Sequence, residues 1–357
     1  MAEHFHALEV AEIIPETDDA MSIRFAVPYD LAELFRFKAG QHLTLMSVID
    51  GAEVRRNYSL CTAPADEDLM VTVKRIAGGV FSNWVATELK TGQRIAVMPP
   101  HGSFTLPFVE GQKKYYAAFA GGSGITPIIS LARTALSIEA DSRFTLFYGN
   151  RDSASVIFLD ALADLKDRYM GRFELFHFLA EEEQDIALFN GMLDEAMCTN
   201  VVEQLICDPK AIDEWFICGP GPMMDSAEKV LLATGVDKAR VHIERFTAGR
   251  PSAAVAAALQ AAQAEAKGLT MAVTLDGRTR KVEFNGDNIL DSAREAGLPA
   301  PFACKAGVCA TCRAKIVKGK VEMAVHYGLS DEEVAAGYVL TCQSVPVGDG
   351  VAVDYDS

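Results

Sequence analysis

Four cysteines near the C-terminus have a spacing that can hold an iron–sulfur cluster. Cys304, Cys309 and Cys312 form the pattern C-x4-C-x2-C, and Cys342 lies further along the chain. This is the plant-type spacing for a [2Fe–2S] cluster, with three thiolates from one loop and a fourth from a separate element. Gly307 lies inside the loop and suits a tight bend around an inorganic core. We therefore predict that these four thiolates bind a [2Fe–2S] cluster.

Two other uses of these cysteines have to be considered. A structural four-cysteine zinc site usually has two C-x2-C pairs, whereas this chain has one pair and an offset third cysteine. Disulfides need an oxidising compartment, and the N-terminus has neither the basic region nor the apolar core of a signal peptide. We expect a cytoplasmic protein with reduced thiols. A zinc-stabilised interaction module stays open as an alternative.

The run Arg-Asn-Tyr-Ser that begins at Arg56 has the chemistry that a flavin needs. On a strand, Arg56 and Tyr58 share one face and Ser59 begins the other. The guanidinium can hold a phosphate, the phenol ring can stack on a flat ring system, and the hydroxyl can donate a hydrogen bond. Downstream, Gly79 and Ser82 mark the start of a predicted helix whose N–H groups can bind an anion. The alternative is a tight turn with an N-cap serine.

A second glycine-rich run, Gly-Gly-Ser-Gly-Ile-Thr-Pro at residues 121–127, follows a predicted strand and opens a helix. Such a turn lets a nucleotide approach the backbone, although the run differs from the G-x-G-x-x-G fingerprint. Later, Cys218-Gly-Pro ends another strand, where open α/β sheets bind their ligands. Cys218 is therefore a candidate neighbour of a nicotinamide ring. A buried strand-end thiol is the alternative.

The elements around these motifs change in character along the chain. Short strand-like runs separated by Gly and Pro come first and predict a β-barrel, whereas strand–helix alternation follows and predicts a parallel, doubly wound sheet. An Ala-rich stretch then reads as a partly helical linker, with a docked surface helix as the alternative. We predict a barrel over residues 1–108, an α/β domain over 109–248, a linker over 249–268 and a cluster domain over 269–357.

The order of the motifs resembles the ferredoxin–NADP reductase superfamily with a plant-type ferredoxin fused at the C-terminus. The runs Tyr58-Ser-Leu-Cys-Thr, Tyr148-Gly-Asn-Arg and Gly337-Tyr-Val-Leu-Thr-Cys-Gln resemble the reductase components of multicomponent oxygenases. Those that serve phenylacetyl-CoA epoxidases are the most similar, followed by those of 3-ketosteroid 9α-hydroxylases. The resemblance implies an FAD-binding antiparallel β-barrel, a doubly wound NAD(P)-binding α/β domain and a β-grasp [2Fe–2S] ferredoxin domain.

The resemblance also implies roles for individual residues. Catalytic roles would belong to Ser59 near flavin N5, Cys218 beside nicotinamide C4, and Glu244 in an acidic-x-aromatic run. Contacts to FAD are implied for Arg56, Asn57, Tyr58, Ser59, Val73, Lys74, Arg75, Gly79, Val80, Phe81, Ser82, Thr126 and Phe246. Contacts to NAD(P) are implied for Gly122, Gly124, Thr126, Pro127, Asn150, Arg151, Cys218, Gly219, Pro220 and Met224.

The resemblance implies an enzyme that passes electrons from NAD(P)H through FAD and the cluster to an oxygenase, expected to be a diiron enzyme of the phenylacetyl-CoA epoxidase type. Arg151 follows a strand where arginine can take a 2′-phosphate, which favours NADPH and leaves NADH open. The formal net charge of −16 argues against nucleic acid and membrane partners. A reductase of a Rieske-type ring or steroid hydroxylase, and a redox-sensing regulator, are the alternatives.

Overall fold

The computed structural model describes residues 5–246 and 253–357 of the chain. They form three β-sheets, and the chain divides into two compact units. One unit contains the second sheet and all of the first except residues 55–57, and the other contains the third sheet together with residues 55–57. Among the described helices, none combines the length and the apolar character that a membrane span needs. Each of the three predicted domains contains one sheet.

The first sheet is a six-stranded barrel whose strands alternate between core and surface. Its order is β4-β3-β6-β1-β2-β5, and a bridge between Leu60 and Val71 joins the strands at the two ends of that order. Inward residues such as Leu8 and Val10 are fully buried, as the two-residue period of a strand requires. The elements are β1 His6–Thr17, β2 Ala20–Ala26, β3 His42–Ile49, β4 Ala52–Ser59, β5 Leu69–Lys74, α1 Val80–Thr87 and β6 Arg94–Val97.

The second sheet is parallel throughout, with the order β11-β10-β7-β8-β9. Its central strands are buried along almost their whole length because helices cover both faces. The strand order reverses between β7 and β10, which is where such sheets bind ligands. The elements are β7 Tyr115–Gly121, α2 Ile125–Ile138, β8 Arg143–Asn150, α3 Leu159–Arg168, β9 Phe173–Leu179, α4 Glu195–Leu205, β10 Glu214–Cys218, α5 Gly221–Ala233 and β11 Val241–Glu244.

The third sheet is mixed, with the order β13-β12-β16-β14-β15 and a parallel pair at its centre. Ile289 and Leu290 of the helix α7 are buried in the same core as Phe284 and Val353. The loop of the first three cluster cysteines lies between α7 and β14. The elements are α6 Ala253–Ala266, β12 Thr270–Leu275, β13 Arg278–Glu283, α7 Ile289–Glu295, β14 Arg313–Met323, α8 Asp331–Ala335, β15 Tyr338–Leu340 and β16 Ser344–Asp354.

The Ala-rich segment forms the helix α6, which packs on the third sheet. Ala266 is buried in the core of that sheet, and Leu259 and Ala262 pack against the same core. A helix with apolar residues spaced three to four apart buries one face in this way. The docked helix, which the sequence offered as the alternative, therefore describes this part of the predicted linker. Residues 247–252 lie outside the described residues.

Candidate functional site

Ser59 ends the strand β4 and carries a buried hydroxyl. Its side chain is 2% exposed, and its Oγ has no hydrogen-bond partner among the residues that the structure describes. A buried polar atom of this kind costs free energy unless something satisfies it. Beside it, Tyr58 is half-buried with its ring centroid 5.8 Å from that of Phe81. Ser59 therefore fits a bound group that offers an acceptor at the end of β4.

The loop after β5 shapes an anion-binding helix start. Gly79 precedes α1, and this helix has no side-chain cap, so its first N–H groups are open to a ligand. A Cβ on Gly79 would lie 2.6 Å from the Oγ of Ser82, and that Oγ accepts a hydrogen bond from the N–H of Ile76 at 3.2 Å. The Nδ2 of Asn83 donates to the Ile76 carbonyl at 3.1 Å. These contacts form a cradle that suits a pyrophosphate.

The remaining residues predicted to bind FAD are distributed over several elements. Arg56 is exposed on β4, and the Nε of Arg75 donates to Asn83 Oδ1 at 2.6 Å. The ammonium of Lys74 lies 3.6 Å from a carboxylate oxygen of Asp19. Phe246 lies just beyond β11 and belongs to the other compact unit, so its predicted contact with a flavin stays a prediction. The others on β4, β5 and α1 are Asn57, Val73, Val80 and Phe81.

The second glycine-rich run lies at the point where the strand order reverses. A Cβ on Gly124 would be 2.0 Å from the carbonyl oxygen of Cys218, and a Cβ on Gly219 would be 2.9 Å from the amide nitrogen of Gly121. Only glycines allow the ends of β7 and β10 to approach this closely. The hydroxyl of Thr126 donates to the Ser123 carbonyl at 3.0 Å. The turn lies at the N-terminus of α2, at the crevice that such sheets form where their strand order reverses. A Cβ on Gly121 would be 2.7 Å from both Pro220 and the sulfur of Met223, whereas Pro127 and Met224 are buried.

Cys218 is fully buried beside the crevice and stays protonated. Burial raises the pKa of its thiol well above the ordinary value, and the nearby Glu244 carboxylate adds to this. An oxygen of Glu244 lies 3.8 Å from the Nδ1 of His42, whose ring centroid is 4.2 Å from that of His101. Burial, with His101 next in importance, holds the pKa of His42 well below its usual range. A neutral thiol and a neutral imidazole therefore lie near the end of β10.

The four cluster cysteines are grouped two by two. The side chains of Cys304 and Cys309 interact with each other, as do those of Cys312 and Cys342, and Cys309 also lies close enough to Cys312 and Cys342 to affect them electrostatically. Within residues 5–246 and 253–357, no three His, Cys, Asp or Glu side chains gather around a single ion position. Two pairs of thiols match a cluster of two irons with four cysteine ligands.

The backbone of the cysteine loop is built for a compact bound group. Gly307 has φ +73°, and a Cβ there would lie 2.6 Å from the Val325 side chain, so no other residue fits. Lys305 and Ala310 also have positive φ, a strained conformation that persists at functional sites. The N–H of Ala306 donates to the sulfur of Cys304 at 3.3 Å. The loop thus directs backbone donors towards the sulfurs, as a cluster requires.

The sequence did not predict some residues that lie beside these sites. The Nη2 of Arg151 lies 3.4 Å from a carboxylate oxygen of Asp19, in the turn between β1 and β2. His42 and His101 are a second example, because neither lies in a recognisable motif. Asn150 is half-buried at the end of β8. No local pattern could have pointed to Asp19, since 132 positions separate it from Arg151.

Family models match the three parts of the chain in order. An oxidoreductase FAD-binding domain matches residues 7–106, an oxidoreductase NAD-binding domain matches residues 119–229, and a 2Fe-2S iron-sulfur cluster binding domain matches residues 273–347. The predicted cofactors FAD, NAD(P)H and a [2Fe–2S] cluster are confirmed. The zinc alternative is thereby set aside.

Relatives match over the full length of the chain. A 1,2-phenylacetyl-CoA epoxidase subunit from Escherichia coli (strain K12) is 43% identical, covering 99% of this chain and 98% of the relative. The ferredoxin reductase component of 3-ketosteroid-9-alpha-monooxygenase from Mycobacterium tuberculosis (strain CDC 1551 / Oshkosh) is 38% identical, covering 100% and 97%. This chain belongs to the reductase components of multicomponent oxygenases. The reductase is thus an NAD(P)H-dependent electron-transfer oxidoreductase, as predicted.

A solved structure has the same fold. Phthalate dioxygenase reductase, described as a modular structure for electron transfer from pyridine nucleotides to [2Fe–2S], covers 98% of the reductase and 98% of its own chain. Its TM-score is 0.61 at 23% identity. The predicted fold, a barrel followed by a doubly wound domain and a ferredoxin domain, is confirmed.

Proposed function

We propose that this chain is the reductase component of a diiron oxygenase of the phenylacetyl-CoA epoxidase type, with a place in aromatic catabolism. The observation that carries the proposal is the 43% identity to a component of such an epoxidase over 99% of the chain. The 38% identity to the steroid monooxygenase reductase supports a Rieske-type partner as second candidate. We place the reductase in the cytoplasm, because thiols that bind a cluster must be kept reduced.

The first sheet would hold the flavin with residues of β4 and the start of α1. Arg56 would pair with an FAD phosphate, Tyr58 would stack on the isoalloxazine, and the hydroxyl of Ser59 would hydrogen-bond near N5. That hydroxyl is the buried group without a partner in the described residues. The Gly79 turn and the open N–H groups of α1 would bind the pyrophosphate.

The crevice between β7 and β10 would hold the nicotinamide nucleotide. The N-terminus of α2 would face the pyrophosphate, and Gly124 would let it approach the backbone. Cys218 is neutral because burial raises the pKa of its thiol. It can therefore pack against the nicotinamide ring without placing a charge there, while Glu244 remains beside it as a polar group.

The bound cofactors would supply the redox chemistry, with FAD accepting a hydride and releasing electrons singly to the cluster. The chain's own part in this is positioning. Cys309, Cys312 and Cys342 are each less than 9% exposed, whereas Cys304 is partly exposed. The edge of the loop at Cys304 is thus the side on which an oxygenase could approach the cluster.

Reconstitution with purified partners tests the proposal. The reductase, NADH or NADPH, and the oxygenase subunits of a phenylacetyl-CoA epoxidase are combined, and epoxidation of phenylacetyl-CoA is measured by mass spectrometry. We expect turnover that depends on the reductase. Turnover with a Rieske-type steroid hydroxylase, and none with the epoxidase, would favour the second candidate. Slow reduction of every acceptor, ferricyanide included, would favour a redox-sensing regulator.

A further inference from the structure

We propose that Gln343, the residue after the fourth cluster cysteine, raises the reduction potential of the cluster by donating a hydrogen bond to the sulfur of Cys342. The potential of an iron–sulfur cluster depends on its net charge, its solvent exposure and the hydrogen bonds to its sulfurs. Side chains that contact a ligand rather than the metal act in this way. The inference rests on the proposed function only in that the four cysteines hold the cluster.

The side-chain amide of Gln343 lies among hydrogen-bond acceptors. Its Nε2 is 3.7 Å from the sulfur of Cys342 and 3.0 Å from the Cys342 carbonyl oxygen. It is also 3.0 Å from the carbonyl oxygen of Lys305, in the loop of the first three cysteines. Carbonyl oxygens and thiolates accept hydrogen bonds and do not donate them, so the amide nitrogen must face this group. Gln343 thus connects the fourth cysteine to the loop that carries the other three.

Packing holds this side chain in position. The N–H of Ala324 donates to the Gln343 carbonyl at 2.9 Å. A Cβ on Gly307 would lie 2.9 Å from the Cγ of Gln343, so the side chain packs directly on the turn of the cysteine loop. Gln343 is half-buried there. The donor is therefore in place before an electron arrives and does not have to reorganise.

A separate set of hydrogen bonds holds the backbone next to the fourth cysteine. The N–H and the hydroxyl of Thr341 donate to the carbonyl of Cys312 at 3.2 and 2.9 Å. The hydroxyl of Tyr355 donates to the Thr341 hydroxyl oxygen at 2.7 Å, and Thr341 is fully buried. None of these bonds involves Gln343. Removal of the Gln343 amide should therefore leave Cys342 in place and remove the donor to its sulfur.

The direction of the effect follows from the charge of the cluster. Reduction adds one electron to a group that four thiolates already make anionic. A hydrogen bond from an N–H group becomes stronger as its acceptor becomes more negative. The Gln343 donor therefore stabilises the reduced cluster more than the oxidised one. Loss of this donor should lower the reduction potential.

Redox titration of the purified holo-reductase, followed by the EPR signal of the reduced cluster, tests this role. Gln343→Leu removes the donor and keeps an apolar side chain of similar length, whereas Gln343→Glu keeps the shape and replaces the donor with a carboxylate. We expect the equilibrium constant for cluster reduction to fall roughly threefold to tenfold in Gln343→Leu, which is about 30–60 mV for one electron. It should fall at least as far in Gln343→Glu. An unchanged potential in both variants, or loss of the cluster from both, would overturn the inference.

Gln263 on α6 provides a matched control. It belongs to the same compact unit, it is also half-buried, and its Nε2 donates to the carbonyl of Asp287 at 2.7 Å. Gln263→Leu therefore loses an amide-to-carbonyl hydrogen bond that has no sulfur acceptor beside it. Its cluster should titrate at the parent's potential. A shift as large as that of Gln343→Leu would overturn the inference, because any weakening of this unit would then suffice.

The outcomes separate this inference from the proposed function. A parent protein without the absorbance of a [2Fe–2S] cluster would overturn the proposed function and this inference together. A parent protein with a cluster whose potential does not depend on residue 343 would overturn the inference alone.

Discussion

At the scale of single residues, the buried serines Ser59 and Ser130 differ in whether the hydroxyl has a hydrogen-bond partner. The hydroxyl of Ser130 donates to the carbonyl of Thr62 at 2.6 Å, whereas Ser59 has no partner within the described part of the chain. A satisfied buried hydroxyl contributes stability, and one without a protein partner is available to a ligand. The contrast therefore predicts a structural role for Ser130 and a ligand-binding role for Ser59.

We expect Ser59→Ala to slow reduction of the flavin by NADH about 10- to 100-fold while FAD stays bound. The estimate corresponds to the loss of one hydrogen bond of roughly 1.5–3 kcal/mol to a group that becomes charged. Stopped-flow absorbance at the flavin band measures the rate. In the control, Ser130→Ala should lower the free energy of unfolding by about 1 kcal/mol and leave the rate unchanged. An unaltered rate in Ser59→Ala would remove the assigned role.

A second prediction at this scale concerns His42 and pH. Burial, and then His101, holds the pKa of His42 well below its usual range, whereas in the unfolded chain that pKa is about 6.5. As the pH falls below about 6.5, the unfolded state takes up a proton that the folded state does not. The folded state is therefore destabilised, by up to about 1.4 kcal/mol for each pH unit.

We expect His42→Gln to reduce the loss of stability between pH 7.5 and pH 5.5. Urea unfolding at several pH values, followed by tryptophan fluorescence, measures this loss. At pH 7.5 the side chain of residue 42 is neutral in the parent and in the variant. The difference between their free energies of unfolding at this pH therefore reports packing alone and serves as the control. His177, whose pKa burial also lowers, keeps its own contribution in both proteins. An identical pH dependence in parent and variant would contradict the prediction.

At the scale of elements, glycines decide how closely β7 and β10 approach at the nucleotide crevice. A Cβ on Gly124 would collide with the backbone of Cys218 and Gly219, whereas a Cβ on Gly221 would meet nothing within 4 Å. Backbone atoms cannot move aside as a flexible side chain can. The two positions therefore form a matched pair at the starts of α2 and α5.

We expect Gly124→Ala to raise KM for NADH at least tenfold and to lower the free energy of unfolding by roughly 1–3 kcal/mol, as overpacking does. Gly221→Ala should leave both within error. Steady-state kinetics with ferricyanide and urea unfolding measure the two effects. An unchanged KM in Gly124→Ala would contradict the prediction, because it would mean that the ends of β7 and β10 can move apart without weakening nucleotide binding.

At the scale of the whole molecule, most residues predicted to bind FAD and NAD(P) belong to one compact unit and the four cluster cysteines to the other. The exceptions are Arg56, Asn57 and Phe246, which belong to the unit of the third sheet. Both tryptophans, Trp84 and Trp215, belong to the unit that contains the second sheet. Tryptophan fluorescence therefore reports unfolding of the flavin and nucleotide unit without a contribution from the cluster unit.

We expect Cys309→Ser to abolish the visible absorbance of the cluster while FAD binding and NADH-to-ferricyanide activity stay near the parent values. The reason is that each unit has its own hydrophobic core. Cys207→Ser, at an exposed cysteine outside the cluster loop, is the control and should keep the cluster. Loss of flavin from the Cys309 variant would show that the two units depend on each other.

The sequence by itself determined the features that depend on local spacing. Three of the four cysteines come from one short loop, so their spacing alone specifies a [2Fe–2S] site. The two glycine-rich turns could be predicted as ligand sites for the same reason, because a close approach of backbone to ligand requires glycine wherever the turn occurs. Alternating and continuous apolar runs predicted the barrel and the parallel sheet, since burial on one face or on two leaves different patterns.

Only the tertiary structure decided which distant side chains face one another. The pairing of Asp19 with Arg151 and the contact of His42 with Glu244 join positions from different sheets. Whether the Ala-rich segment is a free linker or a docked helix likewise depended on the third sheet, whose strands all follow α6 in the sequence. Such contacts depend on how loops close and how cores pack, and these have no local signature in an amino-acid sequence. For that reason the motifs identified the chemistry, while the structure decided which distant side chains surround the predicted sites.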